Sequence, residues 1–194
     1  MAPIIKSVPA AELVNPSQQN NVFQFVQTTK PTERSAGVAL VAGDRWYKND
    51  DGTSWFWNGT YWLGEQLEIS HPQLININTS SSAFYGTINT VGSVLVDRVV
   101  CYTLVSNTND TDNYWTLDVA LAPVQNIGTT IASFSTANDT VNLRLGKQAI
   151  VNYVYNSGFL GSPSGATLRL IWTKVGSPGL FYAGVSLRYR HIAP

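Results

Sequence analysis

The stretch Arg45-Trp46-Tyr47-Lys48-Asn49-Asp50-Asp51-Gly52-Thr53-Ser54-Trp55-Phe56-Trp57-Asn58-Gly59-Thr60-Tyr61-Trp62-Leu63 decides the fold of the first third of the chain. Asp51-Gly52 and Asn58-Gly59 are dipeptides that readily adopt the positive φ angles of tight hairpin turns. They separate three short aromatic-rich runs, Arg45–Lys48, Ser54–Trp57 and Thr60–Leu63. This pattern predicts a small three-stranded antiparallel β-meander within residues 36–66.

The meander contains four tryptophans, Trp46, Trp55, Trp57 and Trp62. Trp55 and Trp57 are two residues apart and share one face of a strand, and Trp46 and Trp62 can join them across the sheet. A sheet this small has few other sources of buried area, so we interpret the four indoles as its core. An exposed aromatic platform for a ligand and a protein interface are the alternatives.

Residues 67–194 alternate between short apolar runs and clusters of Gly, Pro, Asn, Asp or Ser. In the last run Val185 and Leu187 face one way, while Ser186 and Arg188 face the other. Many short strands with regular turn signals are typical of an antiparallel β-sandwich or jelly roll. The candidate strands are Gln73–Asn78, Ala83–Asn89, Val94–Ser106, Tyr114–Leu121, Thr129–Phe134, Val141–Leu145, Ala149–Tyr155, Leu168–Lys174 and Leu180–His191.

Residues 1–35 differ from the rest of the chain. Four prolines interrupt them, which excludes a continuous helix, and their apolar residues come in isolated clumps. We interpret the segment as an extended anchoring arm, with a disordered tail as the alternative. Because such an arm has little core of its own, another domain or another subunit must hold it. Its predicted partner-docking residues are Ile4, Ile5, Val22, Phe23 and Phe25.

The composition excludes several classes of protein. The 194 residues include 12 Lys or Arg and 12 Asp or Glu, so the net charge is zero and the basic excess of a non-specific nucleic-acid binder is missing. Hydrophobic residues make up 44%, which is too many for charge-driven disorder. Ser, Thr and Asn supply 51 residues and favour strands and turns over helices. We therefore predict an all-β protein. It has no apolar run long enough for a membrane span, and its first residues do not resemble a signal peptide.

Few residues suggest chemistry. Cys101 is the only cysteine, so no intrachain disulfide and no Cys-based zinc site can form. His71 and His191 lack the partner spacing of metal or nucleophile motifs. Residues 107–112 have the oxygen-rich look of a calcium loop without the glycine and distal Glu of an EF-hand, and Asp97 with Asp118 are the carboxylates that a glycosidase would need. We expect no catalytic, cofactor or metal site, with calcium binding and hydrolysis as the alternatives.

Three segments resemble a module of tailed-phage virion proteins. They are Thr29–Ser35, then Gly43-Asp44-Arg45-Trp46-Tyr47, then Trp57-Asn58-Gly59-Thr60-Tyr61-Trp62. The pattern is similar to the short Gly-Asp-x-Trp-Tyr … Trp-Asn-Gly-x-x-Trp units of tail fibres, notably in phages of cyanobacteria. The closing residues Ser186–Ile192 also resemble the ends of some of these proteins. The large domain at residues 67–194 otherwise hardly shares the resemblance.

The resemblance implies a non-enzymatic virion structural protein on the surface of the particle. A full fibre has repeats or a stalk, and this chain has neither, so the layout favours a capsid decoration (cement) protein that clamps neighbouring shell subunits through residues 1–35. The alternative is a short tail or neck fibre or a baseplate appendage that binds a receptor polysaccharide. The implied partners are the major capsid protein or tail and neck proteins, together with further copies of the chain in a homodimer or homotrimer. Neither a nucleic acid nor a membrane is an expected partner.

Overall fold

The computed structural model describes residues 22–71, 78–88, 93–106, 109–123, 128–139, 145–155 and 166–194. These residues form strands and no helix, which confirms the all-β prediction. The strands are β1 Gln24–Val26, β2 Glu33–Ser35, β3 Val38–Ala39, β4 Arg45–Lys48, β5 Thr53–Trp57, β6 Trp62–His71, β7 Ser81–Ile88, β8 Val94–Val105, β9 Tyr114–Pro123, β10 Thr129–Ser135, β11 Leu145–Tyr155, β12 Ala166–Val175 and β13 Phe181–Ile192.

The chain divides into two compact units. The first comprises Met1–Glu65 and Ala193, and the second comprises Gln66–Ile192 and Pro194. Strand β6 begins in the first unit and ends in the second.

The first unit contains the predicted meander. Strands β4, β5 and β6 pair antiparallel in chain order, and Gly52 and Gly59 have φ angles of 74° and 102° in the two turns. The third strand begins at Trp62 rather than at the predicted Thr60, because the side chain of Asn58 accepts hydrogen bonds from the N–H groups of residues 60 and 61 and extends the turn. The meander is therefore confirmed, with a longer second turn than predicted.

Residues 22–35, which the sequence analysis assigns to the arm, contribute two strands to this unit. β1 pairs parallel with β4, with Phe25 opposite Trp46, which extends the strand order to β1-β4-β5-β6. β2 forms a separate two-stranded hairpin with β3. The core of the unit consists of the buried side chains of Phe25, Trp46, Trp62 and Ala193.

The second unit has two sheets that share one hydrophobic core. One has the strand order β6-β13-β8-β11 and the other the order β10-β9-β12-β7. Strands β13 and β11 flank β8, and β10 and β12 flank β9, all antiparallel. Alternate residues of β8, β9, β12 and β13 point into the core, where Trp115 and Phe181 are fully buried and their rings stack 5.7 Å apart. This is the arrangement of an antiparallel β-sandwich.

Most candidate strands of the second unit coincide with observed strands within a few residues. Two of the predicted runs, Gln73–Asn78 and Val141–Leu145, lie largely outside the described residues.

Candidate functional site

A buried carboxylate organises the first unit. Asp44 has no exposed surface, and each of its two oxygens accepts two hydrogen bonds. The N–H of Phe23 (3.0 Å) and a terminal guanidinium nitrogen of Arg34 (2.6 Å) donate to Oδ1. The N–H of Val41 (2.9 Å) and Nε of Arg34 (2.9 Å) donate to Oδ2. Asp44 thereby connects three separate parts of the chain.

These contacts determine the ionisation of the pair. Burial by itself raises the pKa of Asp44, but hydrogen bonds from Arg34 and from the N–H groups of Val41 and Phe23 outweigh it and hold the pKa below its usual range. The same hydrogen bond with Asp44 raises the pKa of Arg34 above its usual value. Asp44 is therefore an ionised structural anchor near neutral pH.

Two of the tryptophans fasten the segment before β2 to the sheet. Nε1 of Trp46 donates to the carbonyl of Gln27 at 2.8 Å, and Nε1 of Trp62 donates to the carbonyl of Pro31 at 2.9 Å. Both indoles are 3% exposed, and their rings meet edge to face at 6.0 Å. A buried Trp needs an acceptor for its N–H, and here the acceptors are backbone carbonyls of the segment between β1 and β2.

The other two tryptophans of the meander, Trp55 and Trp57, are partly buried and pack against this core. Trp55 stacks on Trp46 at 6.3 Å, and Trp57 lies 5.6 Å from Trp62. All four indoles therefore belong to one aromatic cluster.

The described end of the predicted arm packs against the core of the first unit. Phe25 is 5% exposed, and its ring meets Trp62 edge-on at 5.9 Å. Phe23 lies 5.0 Å from Phe25, whereas Val22 is 42% exposed. The docking residues Ile4 and Ile5 lie outside the described residues.

The first unit also presents apolar side chains to solvent. Val26 and Tyr47 are neighbours across β1 and β4, and they are 57% and 46% exposed. Val38 and Val41 are similarly exposed, at 47% and 48%.

The second unit carries a polar cavity of about 230 Å³ on the outer face of the sheet that contains β8. It is formed by strands β6, β8 and β13, whose opposite faces fill the core. The lining residues are Gln66, Glu68, Arg98, Val100, Tyr102, Ser186 and Arg188.

Three charged groups of this cavity differ in their partners. Arg188 lies opposite Arg98 in register, and its Nε donates to Asp97 at 2.6 Å. Glu68 accepts a hydrogen bond from the hydroxyl of Ser186. By contrast, Nε of Arg98 is buried without a hydrogen-bond partner, and none of the ion pairs found in the described chain includes this residue.

Tyr102 forms the aromatic wall of the cavity. Its register partners on the two sides are Gly184 and Gly146, neither of which has a side chain. A Cβ placed on Gly146 would lie 3.6 Å from Cε1 of the Tyr102 ring, so the ring lies beside the glycine. The ring remains 40% exposed.

The residues considered for chemistry have other roles. Asp97 pairs with Arg188, and Asp118 accepts a hydrogen bond from Ser133 at 2.5 Å on a strand of the other sheet. The two carboxylates therefore belong to different networks. The ring of His191 lies 5.9 Å from that of Tyr189, and the side chain of His71 is not described.

In the loop considered for calcium, residues 107 and 108 lie outside the described residues, Oδ1 of Asn109 is buried without a hydrogen-bond partner, and Asp110 bonds within the loop. Oδ1 of Asp110 accepts hydrogen bonds from the N–H groups of Asp112 (2.9 Å) and Asn113 (2.7 Å), which lowers the pKa of Asp110. Within the part of the chain that the structure describes, no three His, Cys, Asp or Glu side chains are grouped as metal ligands. No helix of that part has the length and apolar character of a membrane span.

No protein-family model matches the chain, and no curated protein matches it. Among solved structures, a chain of the cyanophage Pam1 capsid asymmetric unit aligns with a TM-score of 0.45 and 14% identity, over 84% of this chain and 99% of that one. A chain from the infectious bursal disease virus Gx strain aligns with a TM-score of 0.36 and 12% identity, over 71% of this chain. This chain spans 34% of that protein and 43% of the VP2 chain from the subviral particle of the same virus. Scores and identities this low carry no weight for function.

Proposed function

We propose that the chain is a non-enzymatic structural protein of a phage virion, and specifically a capsid decoration protein. In this role it lies on the particle surface and clamps neighbouring subunits of the major capsid protein through its N-terminal segment. A homodimer or homotrimer is the expected assembly.

The observation that carries this proposal is the way the phage-like motif folds. Its three segments are separate in sequence but bind one another: Arg34 of the first segment pairs with Asp44 of the second, and Nε1 of Trp62 in the third donates to the carbonyl of Pro31 in the first. The second and third segments also exchange backbone hydrogen bonds, from Gly43 N–H to the Trp57 carbonyl at 2.8 Å and from Trp57 N–H to the Asp44 carbonyl at 2.7 Å. The three segments therefore fold together as one module, and this supports treating them as a single motif.

The fixed position of β1 suggests how the anchor works. Phe23 and Phe25 are engaged inside the first unit, so they attach the preceding residues to a folded base. Val22 and the earlier residues Ile4 and Ile5 then remain as apolar contacts for a shell protein. Binding through residues 1–21 follows as the proposed mode of attachment.

A second candidate function is a short tail or neck fibre, or a baseplate appendage, that binds a surface polysaccharide. The outer-face cavity favours it, because an exposed tyrosine ring and hydrogen-bonding side chains together are suited to sugars.

Immunogold labelling of intact particles with an antibody against residues 70–194 tests the location. Label spread over the head is the expected result. Label restricted to the neck or tail would contradict decoration and favour the second candidate, and unlabelled particles would contradict both.

Attachment is tested by deleting residues 1–21, which spares Phe23, Phe25 and their contacts. The truncated protein should keep the tryptophan fluorescence and thermal transition of the full chain but lose binding to particles that lack the protein. A finer test compares the double variant Ile4→Asp/Ile5→Asp with a matched control, the double variant Ala10→Asp/Ala11→Asp. Undiminished particle binding by the truncated protein would refute the anchor.

A further inference from the structure

We propose that the outer-face cavity of the second unit binds a carboxylated sugar ring, such as a uronate unit of an acidic polysaccharide. The inference deepens the second candidate function and rests on it only for the source of the sugar. It does not depend on where the protein lies on a particle.

The first argument concerns charge. Arg98 and Arg188 are register partners on one face, and like charges placed directly across two strands destabilise a sheet. At the β-bulge, Arg188 is the register partner of Arg98 and Tyr189 is that of Val96, so Asp97 has no register partner on β13. The side chain of Asp97 forms an ion pair with Arg188. Arg98 is thus left as a half-buried guanidinium whose Nε has no hydrogen-bond partner and which has no ion pair among the described residues. Burying such a cation is unfavourable unless an anion compensates it.

The second argument concerns the shape of the anion. A guanidinium binds a planar carboxylate through two parallel hydrogen bonds, which adds geometric selectivity to the charge attraction. Glu68 lines the same cavity and repels ligands with a high density of negative charge. A planar carboxylate with a single negative charge therefore fits better than a phosphate monoester, which carries up to two.

The third argument concerns the rest of the ligand. The exposed ring of Tyr102, flanked by two glycines, offers a flat apolar surface for the C–H face of a sugar. The side chains of Gln66, Glu68 and Ser186 offer donors and acceptors for hydroxyl groups around it. The volume of about 230 Å³ is below the roughly 300–1,000 Å³ of pockets that enclose drug-sized molecules, so the cavity suits one ring of a longer chain.

The experiment is an NMR titration of the full chain with three probes. They are short oligomers of glucuronic acid, glucose oligomers of the same length and sodium acetate. Glucuronate oligomers should shift the Nε–H resonance of Arg98 and the ring resonances of Tyr102, whereas neutral oligomers and acetate should bind at least tenfold more weakly. Equal binding of the neutral oligomers would refute the role of the carboxylate, and equal binding of acetate would refute the role of the sugar ring.

Variants then test the two side chains. Arg98→Gln should weaken glucuronate binding tenfold or more, because one hydrogen-bonded charge pair is lost. Arg45→Gln, at an exposed arginine of the first unit, is the matched control and should bind as the parent protein does. Tyr102→Phe should retain binding, whereas Tyr102→Ala should lose most of it. The thermal transition of each variant is measured to show that it is folded. A folded Arg98→Gln protein with unchanged affinity would overturn the site even if immunogold labelling supports a virion location.

Discussion

Replacing Asp44 with Asn removes one negative charge from the centre of the first unit while keeping the side-chain shape. Oδ1 accepts from Phe23 N–H and from Arg34, and Oδ2 accepts from Val41 N–H and from Arg34. Because each oxygen faces two donors, the NH₂ group of the asparagine meets two N–H groups in either orientation. The substitution therefore breaks two hydrogen bonds and leaves Arg34 without its counterion.

The expected cost follows from these contacts. Hydrogen bonds to a charged group contribute about 1.5–3 kcal/mol each, and breaking a buried ion pair by removing one partner costs about 3–5 kcal/mol. The two energy ranges describe the same interaction, so they are not added together. We expect Asp44→Asn to lower the free energy of unfolding of the first unit by about 3–5 kcal/mol. For a unit of this size such a loss lowers the melting temperature by more than about 10 °C.

Thermal and guanidinium unfolding followed by the indole Nε1–H resonances of Trp46 and Trp62 provide the assay, because both groups belong to the first unit. Asp50→Asn is the matched control: Asp50 lies in the same unit, is exposed and has a 3.3 Å ion pair with Lys48. The control should unfold nearly as the parent protein does. Equal stability of the Asp44 and Asp50 variants would refute the reasoning.

Acid pH offers a second test of the same carboxylate. Its pKa is lower in the folded state than in the unfolded chain, so ionised Asp44 stabilises the first unit fully above the unfolded value, about 4, and this stabilisation is lost as the pH falls through the lower folded value. The parent protein should therefore lose stability below about pH 4, and the Asp44→Asn protein should lose less over that range. Parallel pH profiles for the two proteins would contradict this linkage.

Three further predictions concern packing and reactivity. Gly128→Ala should destabilise the second unit by well over the 1–2 kcal/mol of a left-handed residue, because φ is +76° and its Cβ would lie 2.6 Å from a carbonyl oxygen; the control Gly146→Ala, whose Cβ meets only ordinary contacts, should be close to neutral in the same thermal melt. Trp62→Phe should cost about 2–3 kcal/mol in guanidinium unfolding, since a buried indole and its hydrogen bond are lost, and half-buried Trp57→Phe should cost less. Burial raises the pKa of the Cys101 thiol to about 12, so it should resist a thiol reagent at pH 8 until the protein unfolds, and rapid labelling of the native protein would contradict its burial.

Local signals in the sequence predicted the parts of the fold that depend on neighbouring residues. The dipeptides ending in Gly52 and Gly59 marked both turns of the meander, and the alternation in β13 separated Val185 and Leu187, which lie in the core, from Ser186, which lines the cavity. These features need only a turn that favours positive φ or a period of two. The parallel pairing of β1 with β4 was not predicted, because a three-residue strand without a connecting hairpin leaves no comparable signal.

The outer-face cavity was also missed, and the reason lies in its construction. Its charged residues come from three strands, and Glu68 and Ser186, which are hydrogen-bonded, are 118 positions apart. The alternation in β13 does place Ser186 and Arg188 on the outer face, which was the available signal. In β8, by contrast, the bulge at Asp97 interrupts the alternation, and Asp97 forms an ion pair with Arg188 rather than with Arg98. Sequence periodicity alone therefore does not identify the unpaired cation.

The burial of the phage-like motif limits what the resemblance says about partners. Asp44, Trp46 and Trp62 point their functional groups into the first unit and are 0–3% exposed, so a partner does not touch them. A shared motif therefore indicates a shared module rather than a shared docking site. The contacts that distinguish a head from a tail location are then expected in exposed side chains outside the motif, such as Val26 and Val38, in residues 1–21 or in the second unit. Exchanging residues 1–21 between two proteins that carry the module should then move the binding location, whereas exchanging only the buried motif residues should not.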